Sequence, residues 1–498
     1  MDLLTAPGAA LEELKAVRGY AETLGAHFVE PTAPTPLPEP YLVAFNPDVA
    51  ALLGLRPGQE TRPEFVQLAA GNARFRSVEP FAALYAGHQF GTYVPALGDG
   101  RAITLGEFEN PSGERYEWQL KGAGVTAFSR FGDGRAVLRS TIREYLAAEA
   151  LAALGIPTTR SLAIAGSAEP VFRELPETAA VLSRVAPSHV RFGSFEAFHY
   201  RRDYGAVRQL ADYTIARFYP HLAGGDERER YARFLREVVV RTARLVAHWQ
   251  AVGFAHGVLN TDNMSILGLT LDYGPYGFLD AYDPGFICNH TDAQGRYSFE
   301  RQPTIGLWNC HALAAALSSL VTKVDAEEAL GAYEPAYHER VLELLSAKFG
   351  LSTQSEDDPE LFAAAFAVLE RGAADYTRFF RALSALQRER SAGDEALAAF
   401  FVDPLEWDAW LLRYRARLAS EGSEDEARRT RMLAANPKYV LRNYLAQEAI
   451  AAAEKGDFSE IARLHGILRT PFAEQPEFES YASAPPEWAR HIEVSCSS

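Results

Sequence analysis

The feature that most constrains this 498-residue chain is a change of sequence pattern near Tyr204. Before it, short apolar segments alternate with glycine and proline. Two of these segments, Ala102–Glu107 and Tyr116–Leu120, flank turn residues at Asn110–Gly113 and are predicted to pair as antiparallel strands. After Tyr204, long segments carry apolar residues at helical spacing, most clearly Tyr231–Val252. We therefore predict an α+β fold in which a strand-rich part precedes a helical part, with a site between the two.

Changes in composition divide the chain into three predicted segments. Residues 1–80 are rich in proline and are predicted to form an N-terminal extension, largely extended or loop. Residues 81–200 are predicted to form a strand-rich lobe, which includes a helix at Leu138–Leu154. Residues 201–498 are predicted to form a helical lobe, with a loop-rich catalytic and metal segment at 256–303 and a C-terminal helical extension.

Composition argues against several classes of protein. The net charge of −16 opposes binding to nucleic acid or to an anionic membrane, since both need a basic surface. Three cysteines are too few for a disulfide framework, and they lie in no zinc-binding pattern. No apolar run reaches the length of a membrane span, and the first residues resemble no signal peptide. We expect a cytoplasmic protein without nucleic-acid or membrane partners, and a monomer is compatible with the sequence.

The strand-rich part carries three pieces in the order that protein kinases use to hold ATP. A glycine turn, Gly98-Asp99-Gly100, would let backbone N–H groups approach a phosphate, although the same residues are common in hairpin turns. Lys121 ends a predicted strand, and Glu144 lies in the helix that follows. In protein kinases a strand lysine contacts the phosphates and is held by a glutamate of the next helix. Glu149 is an alternative partner for the lysine, and either side chain could instead be solvated.

The loop-rich segment supplies the remaining pieces. The kinase pattern H-x-D-x-x-x-x-N followed by D-F-G matches His256 to Asn263 and then Asp272-Tyr273-Gly274. The oxygens of Asn263 and Asp272 are hard ligands suited to a magnesium ion. Val258 occupies the place of the catalytic aspartate and cannot accept a proton. Asp262 is the nearest carboxylate able to take that role, so the sequence predicts a kinase-like site with an altered proton acceptor.

A competing motif is disfavoured. Residues Gly122–Ala127 fit the dinucleotide-binding pattern G-x-G-x-x-A, which requires a helix that begins on its glycines. Phe131-Gly132-Asp133-Gly134 interrupts the chain where that helix would continue, and no βαβ repeat follows.

Several longer motifs closely resemble those of the selenoprotein O family, whose bacterial members are also known as YdiU-type proteins. The resemblance covers nearly the whole chain. The motifs that carry it are Tyr85-Ala86-Gly87-His88-Gln89-Phe90-Gly91, Leu97-Gly98-Asp99-Gly100-Arg101, Gln119-Leu120-Lys121-Gly122-Ala123-Gly124, Phe131-Gly132-Asp133-Gly134-Arg135 and His256-Gly257-Val258-Leu259-Asn260-Thr261-Asp262-Asn263-Met264.

The resemblance implies a fold and an activity. Family members have a two-lobed, protein-kinase-like fold, bind ATP in a flipped orientation, and transfer AMP to Ser, Thr or Tyr hydroxyls of proteins. UMP transfer has also been described for bacterial members. The proton acceptor then falls on Asp262 and the metal ligands on Asn263 and Asp272, with Glu144 in support. The resemblance places the nucleotide contacts on Gly98, Gly100, Arg101, Lys121, Asp133, Gly134, Arg184, Arg191 and Asp272.

The resemblance also bears on two cysteines. Many eukaryotic members carry a selenocysteine near the C-terminus, where this chain has Cys496. Cys288 lies shortly after Asp272, and a regulatory disulfide between Cys288 and Cys496 is similar to one attributed to some bacterial members. Because cytosolic disulfides are usually transient or redox-sensing, two free thiols are the alternative.

We therefore expect a protein adenylyltransferase that uses ATP with Mg²⁺ or Mn²⁺ and acts on protein hydroxyl groups. Two alternatives from other functional classes stay open at this point. One is an ATP-dependent phosphotransferase that binds the nucleotide in the usual kinase orientation. The other is a non-catalytic pseudokinase scaffold that senses ATP.

Overall fold

An antiparallel sheet of nine strands organises the first part of the chain. The computed structural model describes residues 8–391, 393–401 and 403–494. The strands of this sheet and of two small hairpin-like pairs are β1 (Lys15–Val17), β2 (Val29–Pro31), β3 (Tyr41–Phe45), β4 (Phe81–Ala83), β5 (Gly87–Gln89), β6 (Thr92–Val94), β7 (Ala102–Glu109), β8 (Arg115–Lys121), β9 (Ala136–Val137), β10 (Arg160–Phe172), β11 (Pro176–Ala186), β12 (Phe254–Ala255) and β13 (Gly277–Phe278). The large sheet has the order β2-β4-β7-β8-β11-β10-β3, with β1 paired to β7 and β9 paired to β11.

The hairpin of β7 and β8 confirms the predicted strand pair, and both strands extend slightly beyond the predicted bounds. Its turn is fixed by Asn110, whose Oδ1 accepts the backbone N–H groups of Ser112 at 3.0 Å and Glu114 at 2.9 Å. Gly113 follows with φ of +80°, a conformation that a residue without Cβ adopts at little cost. This turn sets the register as far as Gly106 opposite Trp118, and a one-residue shift beyond it places Lys121 opposite Ala102.

Helices dominate after β11. Four of the described helices lie among strands β1 to β11, and the others follow β11. They are α1 (Tyr20–Leu24), α2 (Pro47–Leu52), α3 (Pro63–Ala69), α4 (Leu138–Ala153), α5 (Phe192–Tyr200), α6 (Tyr204–Phe218), α7 (Glu227–Val252), α8 (Gln302–Ala316), α9 (Lys323–Leu330), α10 (Tyr333–Lys348), α11 (Asp358–Arg371), α12 (Tyr376–Leu383), α13 (Gly393–Ala398), α14 (Pro404–Ser420), α15 (Asp425–Ala435), α16 (Asn443–Ala453) and α17 (Ser459–Leu468). Within the described ranges, none of these helices combines the length and the apolar character needed to cross a bilayer.

Two helices have bounds that were predicted from the sequence. The helix predicted at Leu138–Leu154 is confirmed as α4. The helix predicted at Tyr231–Val252 is confirmed as α7, but it begins four residues earlier, at Glu227. The side chain of Asp226 caps it by accepting the N–H of Arg228 at 3.1 Å. The first turn has no apolar residue, so the hydrophobic pattern could not reveal it.

Helix α4 is held on two sides. One side packs against β10 and β11, and the other contacts α16 and α17 near the C-terminal end of the described chain. Tyr145 of α4 and His465 of α17 make an edge-to-face ring contact with centroids 5.3 Å apart. Most of α4 is consequently buried, and its polar side chains have fixed surroundings.

The structure is therefore a mixed α/β fold with a large antiparallel sheet and many helices, in the predicted order of strands before helices. Strands β1, β2 and β3 lie within residues 1–80 and belong to the large sheet. The segment 256–303 is mostly loop, as expected. The division of the chain at residues 80 and 200 stays a prediction.

Two glutamates lie directly opposite each other in the sheet. Glu107 of β7 pairs in register with Glu117 of β8, and both side chains are buried. Burial raises the pKa of Glu107 to about 7; the charge of Glu117 adds to this, and Arg217 opposes it. Burial likewise raises the pKa of Glu117 to about 7. Like charges at opposed positions destabilise a strand pair, so the sheet favours the protonated pair.

We predict that Glu107→Gln makes protein stability less dependent on pH. A carboxyl group whose pKa is higher in the folded state contributes stability that is complete below its ordinary pKa of 4.5 and is lost as the pH rises through about 7. Removing it should abolish a loss on the order of 2 kcal/mol between about pH 5 and 8. Thermal midpoints measured across this range provide the test.

Glu109→Gln is the matched control for this measurement. Glu109 lies two residues away on the same strand, and its hydrogen bonds from Lys15 and Arg115 lower its pKa. Its titration falls below the tested range, so the variant should keep the wild-type slope. A Glu107→Gln protein with an unchanged slope would contradict the assignment.

Candidate active site

Lys121 is positioned by three neighbouring strands. It ends β8, opposite Ala102 of β7 and Leu182 of β11. Its Nζ atom donates a hydrogen bond to Oε2 of Glu144, which lies in the middle of α4. Burial lowers the pKa of Lys121, and the charge of Glu144 opposes that shift. The structure thus brings together the lysine and glutamate that the sequence suggested as a pair.

Glu149, the alternative partner, has a different role. Five residues along a helix turn a side chain away from the first position, so Glu149 points elsewhere. Its carboxylate accepts hydrogen bonds from Arg160, at 3.0 Å from Nε and 2.6 Å from Nη2, and from the N–H of Ser161 at 2.9 Å. Glu149 therefore fixes the beginning of β10 against α4.

Two arginines hold Asp272. Arg184 lies on β11, and its Nη1 donates to Oδ1 of Asp272. Arg191 directly precedes α5, and its Nη1 donates to Oδ2 of the same carboxylate. Arg184 also contacts Oε1 of Glu144 at 3.2 Å, and Nζ of Lys121 lies 3.8 Å from Asp272. Asp272 adopts φ of +57°, an uncommon conformation for a residue other than glycine.

These five side chains form one cluster with an excess of one positive charge: Lys121, Arg184, Arg191, Glu144 and Asp272. The arginines and Glu144 are almost fully buried, whereas the side chains of Lys121 and Asp272 keep exposures of 13% and 19%. Burial acts to raise the pKa of Asp272, but the charges of Arg191, Arg184 and Lys121 outweigh it and hold the pKa well below its ordinary value. A buried net positive charge with two partly exposed members is suited to bind an anion.

The buried side chain of His256 fixes the loop that precedes Asp272. The Nε2 atom of His256 lies 3.0 Å from the carbonyl oxygen of Leu271, and its ring contacts Trp249 with centroids 5.4 Å apart. His256 is buried and joins the two parts of the segment. Val258 is buried as well, so the position of the kinase aspartate holds an apolar side chain.

Asp262 is the carboxylate nearest to that position along the loop. Its Oδ2 accepts a hydrogen bond from Nε2 of Gln89 at 3.1 Å. Its Oδ1 is buried without a hydrogen-bond partner among the described residues. Burial raises its pKa to about 6, while the bond from Gln89 and the charge of Arg191 act in the opposite direction. A carboxylate with this pKa and one unpaired oxygen is able to accept a proton near neutral pH.

Asn263 and Asp272 have oxygens that fit a hard cation. The Nδ2 group of Asn263 donates to the carbonyl of Val258 at 3.0 Å, which leaves its Oδ1 as the acceptor end. Nη1 of Arg191 donates both to the Asp262 carbonyl, at 2.7 Å, and to Asp272, so it joins the two ligand-bearing segments. Across the described ranges no group of three or more His, Cys, Asp or Glu side chains forms a metal site.

The glycine turn lies against a loop at residues 126–129. Gly98 has φ of +72°, and a Cβ on it would lie 2.3 Å from the ring of Phe128. The hydroxyl of Thr126 donates to the carbonyl of Asp99 at 2.7 Å, and the hydroxyl of Ser129 donates to the carbonyl of Gly100. Close packing thus requires glycine at position 98. Arg101 follows the turn and is exposed, and its charge lowers the pKa of Lys121.

Asp133 and Gly134 lie at the edge of this region. Asp133 makes two hydrogen bonds with Arg173, at 2.8 and 3.0 Å, and these are the main cause of its lowered pKa. Gly134 accepts the N–H of Gly124 at 3.0 Å and has no room for a Cβ. The structure does not bring Asp133 into the buried cluster. No helix begins within Gly122–Ala127, so the helix that the dinucleotide-binding pattern requires does not start there.

The family of the chain is shown by its match to a known sequence model. Residues 14–469 match the sequence model of a family described as Protein adenylyltransferase SelO. The chain belongs to the selenoprotein O family. The match covers most of the chain, including all five members of the buried cluster.

Curated relatives extend over nearly the full length of the chain. A protein of Myxococcus xanthus, named Protein nucleotidyltransferase YdiU, is 55% identical over 98% of this chain and 100% of its own length. Proteins with the same name from Thioalkalivibrio sulfidiphilus and Thiobacillus denitrificans are 55% and 52% identical, again over 98% of this chain. They are covered over 99% and 100% of their lengths.

Three residues at the selenoprotein O site received no role from the sequence. The ring of Tyr85 lies under the guanidinium of Arg191 at 4.5 Å, Gln89 binds Asp262, and Gln119 accepts a hydrogen bond from Arg184. A role for Gln119 in the site could have been predicted, because it lies two residues before Lys121 and its side chain therefore shares the same face of β8. Tyr85 shortly precedes the β5–β6 hairpin and Gln89 lies in it, and both are distant in sequence from the residues they contact.

Only one of the two cysteines predicted to form a disulfide lies within the described residues. Cys288 is buried, and its Sγ lies 3.6 Å from the carbonyl oxygen of Ala255. Cys496 lies outside the described residues. The disulfide between Cys288 and Cys496 therefore stays a prediction.

Proposed function

We propose that this chain is a protein adenylyltransferase that transfers AMP from ATP to Ser, Thr or Tyr hydroxyl groups of other proteins. The observation that carries the proposal is the combination of a buried, positively charged cluster with a proton-accepting carboxylate at Asp262, in a member of this family. Val258 occupies the place at which a kinase carries its catalytic aspartate, which argues against ordinary phosphate transfer.

The proposal includes a two-lobed, protein-kinase-like arrangement. It is supported by the bond between Lys121 and Glu144, since a strand lysine held by a glutamate of the following helix is a kinase feature. The contact between His256 and Leu271 supports it as well, because it links the catalytic-loop segment to the segment that ends in Asp272.

The cluster is proposed to bind the triphosphate. Lys121, Arg184 and Arg191 would contact its oxygens, and the planar guanidinium groups suit paired contacts with phosphate. Attack at the α-phosphorus makes pyrophosphate the leaving group, so negative charge grows on the β- and γ-phosphates during the reaction. Fixed cations that face this charge lower the barrier, since they need no reorganisation. Further nucleotide contacts are proposed for Gly98, Gly100, Arg101, Asp133, Gly134 and Asp272.

Asp262 is proposed to accept the proton of the target hydroxyl. As the hydroxyl oxygen bonds to the α-phosphorus, its proton passes to the carboxylate of Asp262, and the bond from the α-phosphorus to the bridging oxygen breaks. The products are the AMP-modified protein and pyrophosphate. The raised pKa of Asp262 matches this task, because a general base works best when its pKa is near the working pH.

Asn263 and Asp272 are proposed to hold Mg²⁺ or Mn²⁺, with phosphate oxygens as further ligands. The ion would supply neutralising charge to the phosphates. The same geometry would serve UMP transfer from UTP, which belongs to the proposal. The net charge of −16 supports protein partners over nucleic acid, and we propose a cytoplasmic location and a monomer.

The first test concerns Glu144. We predict that Glu144→Gln weakens ATP binding at least about tenfold, because Lys121 and Arg184 both lose a carboxylate that positions them. The affinity is measured by isothermal titration calorimetry.

Glu149→Gln is the matched control on the same helix. It removes an equally buried carboxylate, but one that binds Arg160. It should lower the thermal midpoint and leave the affinity for ATP within about twofold of wild type. Equal losses of affinity in both variants would contradict the assignment of Glu144.

The second test determines which phosphate of ATP is transferred to the substrate protein. The protein is incubated with a substrate protein and with ATP labelled at either the α- or the γ-phosphate. We predict transfer of the α label only, and a loss of about 10²-fold or more in rate for Asp262→Asn, which cannot accept the proton. Transfer of the γ label alone would establish a phosphotransferase. Transfer of neither label would favour the non-catalytic scaffold.

A further inference from the structure

The hairpin of β5 and β6 lies directly on the loop that carries Asp262. Three consecutive hairpin residues bind this loop. The N–H of His88 donates to Oγ1 of Thr261 at 2.7 Å, Nε2 of Gln89 donates to Asp262 at 3.1 Å, and the N–H of Phe90 donates to Oδ1 of Asn260 at 3.2 Å. Among the described residues, the strands of this hairpin pair with no other strand, so their contacts with the loop contribute to holding them in place.

The base of the hairpin is fixed independently. The N–H of Ala86 donates to the carbonyl of Gly193 at 3.0 Å, and a Cβ on Gly193 would lie 2.0 Å from the carbonyl oxygen of Ala86. The buried carboxylate of Glu196 joins hairpin and loop, since one oxygen lies 2.6 Å from Nδ1 of His88 and the other accepts the hydroxyl of Thr261 at 2.5 Å. Gln89 therefore projects from a rigid support.

The hairpin also limits where the Asp262 carboxylate can lie. A Cβ on Gly87 would be 2.7 Å from Oδ1 of Asp262, so only glycine permits this close approach. Gln89 takes one carboxylate oxygen and leaves the other unpaired. The two oxygens of Asp262 are thus made different by the hairpin.

We propose that Gln89 is a positioning residue for Asp262: by donating to Oδ2 it fixes the orientation of the carboxylate that accepts the proton of the target hydroxyl. The inference rests on the proposed function, because it concerns the orientation of the group that accepts the proton in that reaction. Gln89 suits this role, since its amide donates a hydrogen bond without bringing a charge that would neutralise the carboxylate. A proton acceptor must also lie within hydrogen-bond reach of its proton, and a freely rotating carboxylate would satisfy that condition only part of the time.

The test uses Gln89→Met, which keeps the length and flexibility of the side chain and removes the donor. We expect kcat for AMP transfer to fall about tenfold to a hundredfold, below the ~10²–10⁴ that general base catalysis contributes. KM for ATP should stay within about twofold, because Gln89 does not contact the cationic cluster. Thr92→Val is the control: Thr92 lies opposite Gln89 in the same hairpin and is exposed, and its variant should keep wild-type kcat.

A double variant separates positioning from general damage to the hairpin. In an Asp262→Asn background, Gln89→Met should cause no further loss of the residual rate, since its effect passes through the carboxylate. A further tenfold loss in that background, or a kcat of the single variant within about twofold of wild type, would overturn the proposal.

A crystal structure of Gln89→Met gives a result that does not depend on the reaction. We expect the carboxylate of Asp262 to rotate away from its wild-type orientation, and an unchanged orientation would overturn the proposal. If the wild-type protein transfers no AMP, the proposed function fails, and this structure alone decides whether Gln89 orients Asp262.

Discussion

The carboxylate of Asp272 is the contact on which the rest of the site depends. It binds Arg184 from the sheet with one oxygen and Arg191 from the beginning of α5 with the other. Without it, Lys121 and Arg184 would share the carboxylate of Glu144, and Arg191 would lose its ion pair. Removing one partner from a buried ion pair commonly costs about 3–5 kcal/mol, because the remaining charge lies out of water without compensation. The position of the loop before α8 is thereby tied to the sheet.

The same cluster explains why a site of this kind can bind a highly charged substrate. Its acidic members do not cancel its cations, and the two side chains that stay partly exposed are Lys121 and Asp272. The cations are already desolvated and held in place before a phosphate arrives, so binding need not reorganise them. Asp262 lies in a separate environment, where burial rather than ion pairing determines its protonation. Two carboxylates on one segment thus have pKa values shifted in opposite directions, a pattern found where acid–base chemistry occurs.

Features of the fold and of the site that depend on residues close in sequence could be predicted, whereas features that depend on contacts between distant residues could not. The β7–β8 hairpin and helices α4 and α7 follow from local patterns, and sequence analysis found them. The order of Lys121, Glu144, Asn263 and Asp272 suggested a kinase-like site, and the structure brings the lysine, the glutamate and Asp272 together. The pattern could not choose between Glu144 and Glu149, because that choice depends on how α4 is rotated against the sheet. Arg184 and Arg191 were assigned by family resemblance alone, since two isolated arginines carry no local signal for a buried role. The role of Gln89 was missed because it depends on a contact across 173 positions of the chain.

The most direct measurement of the central claim is a crystal structure of the protein with a non-hydrolysable ATP analogue and Mg²⁺. The account predicts that the β- and γ-phosphates contact Lys121, Arg184 and Arg191, and that the α-phosphate is the one nearest to Asp262. A structure in which the γ-phosphate lies nearest to Asp262, with the α-phosphate further from it, would contradict AMP transfer.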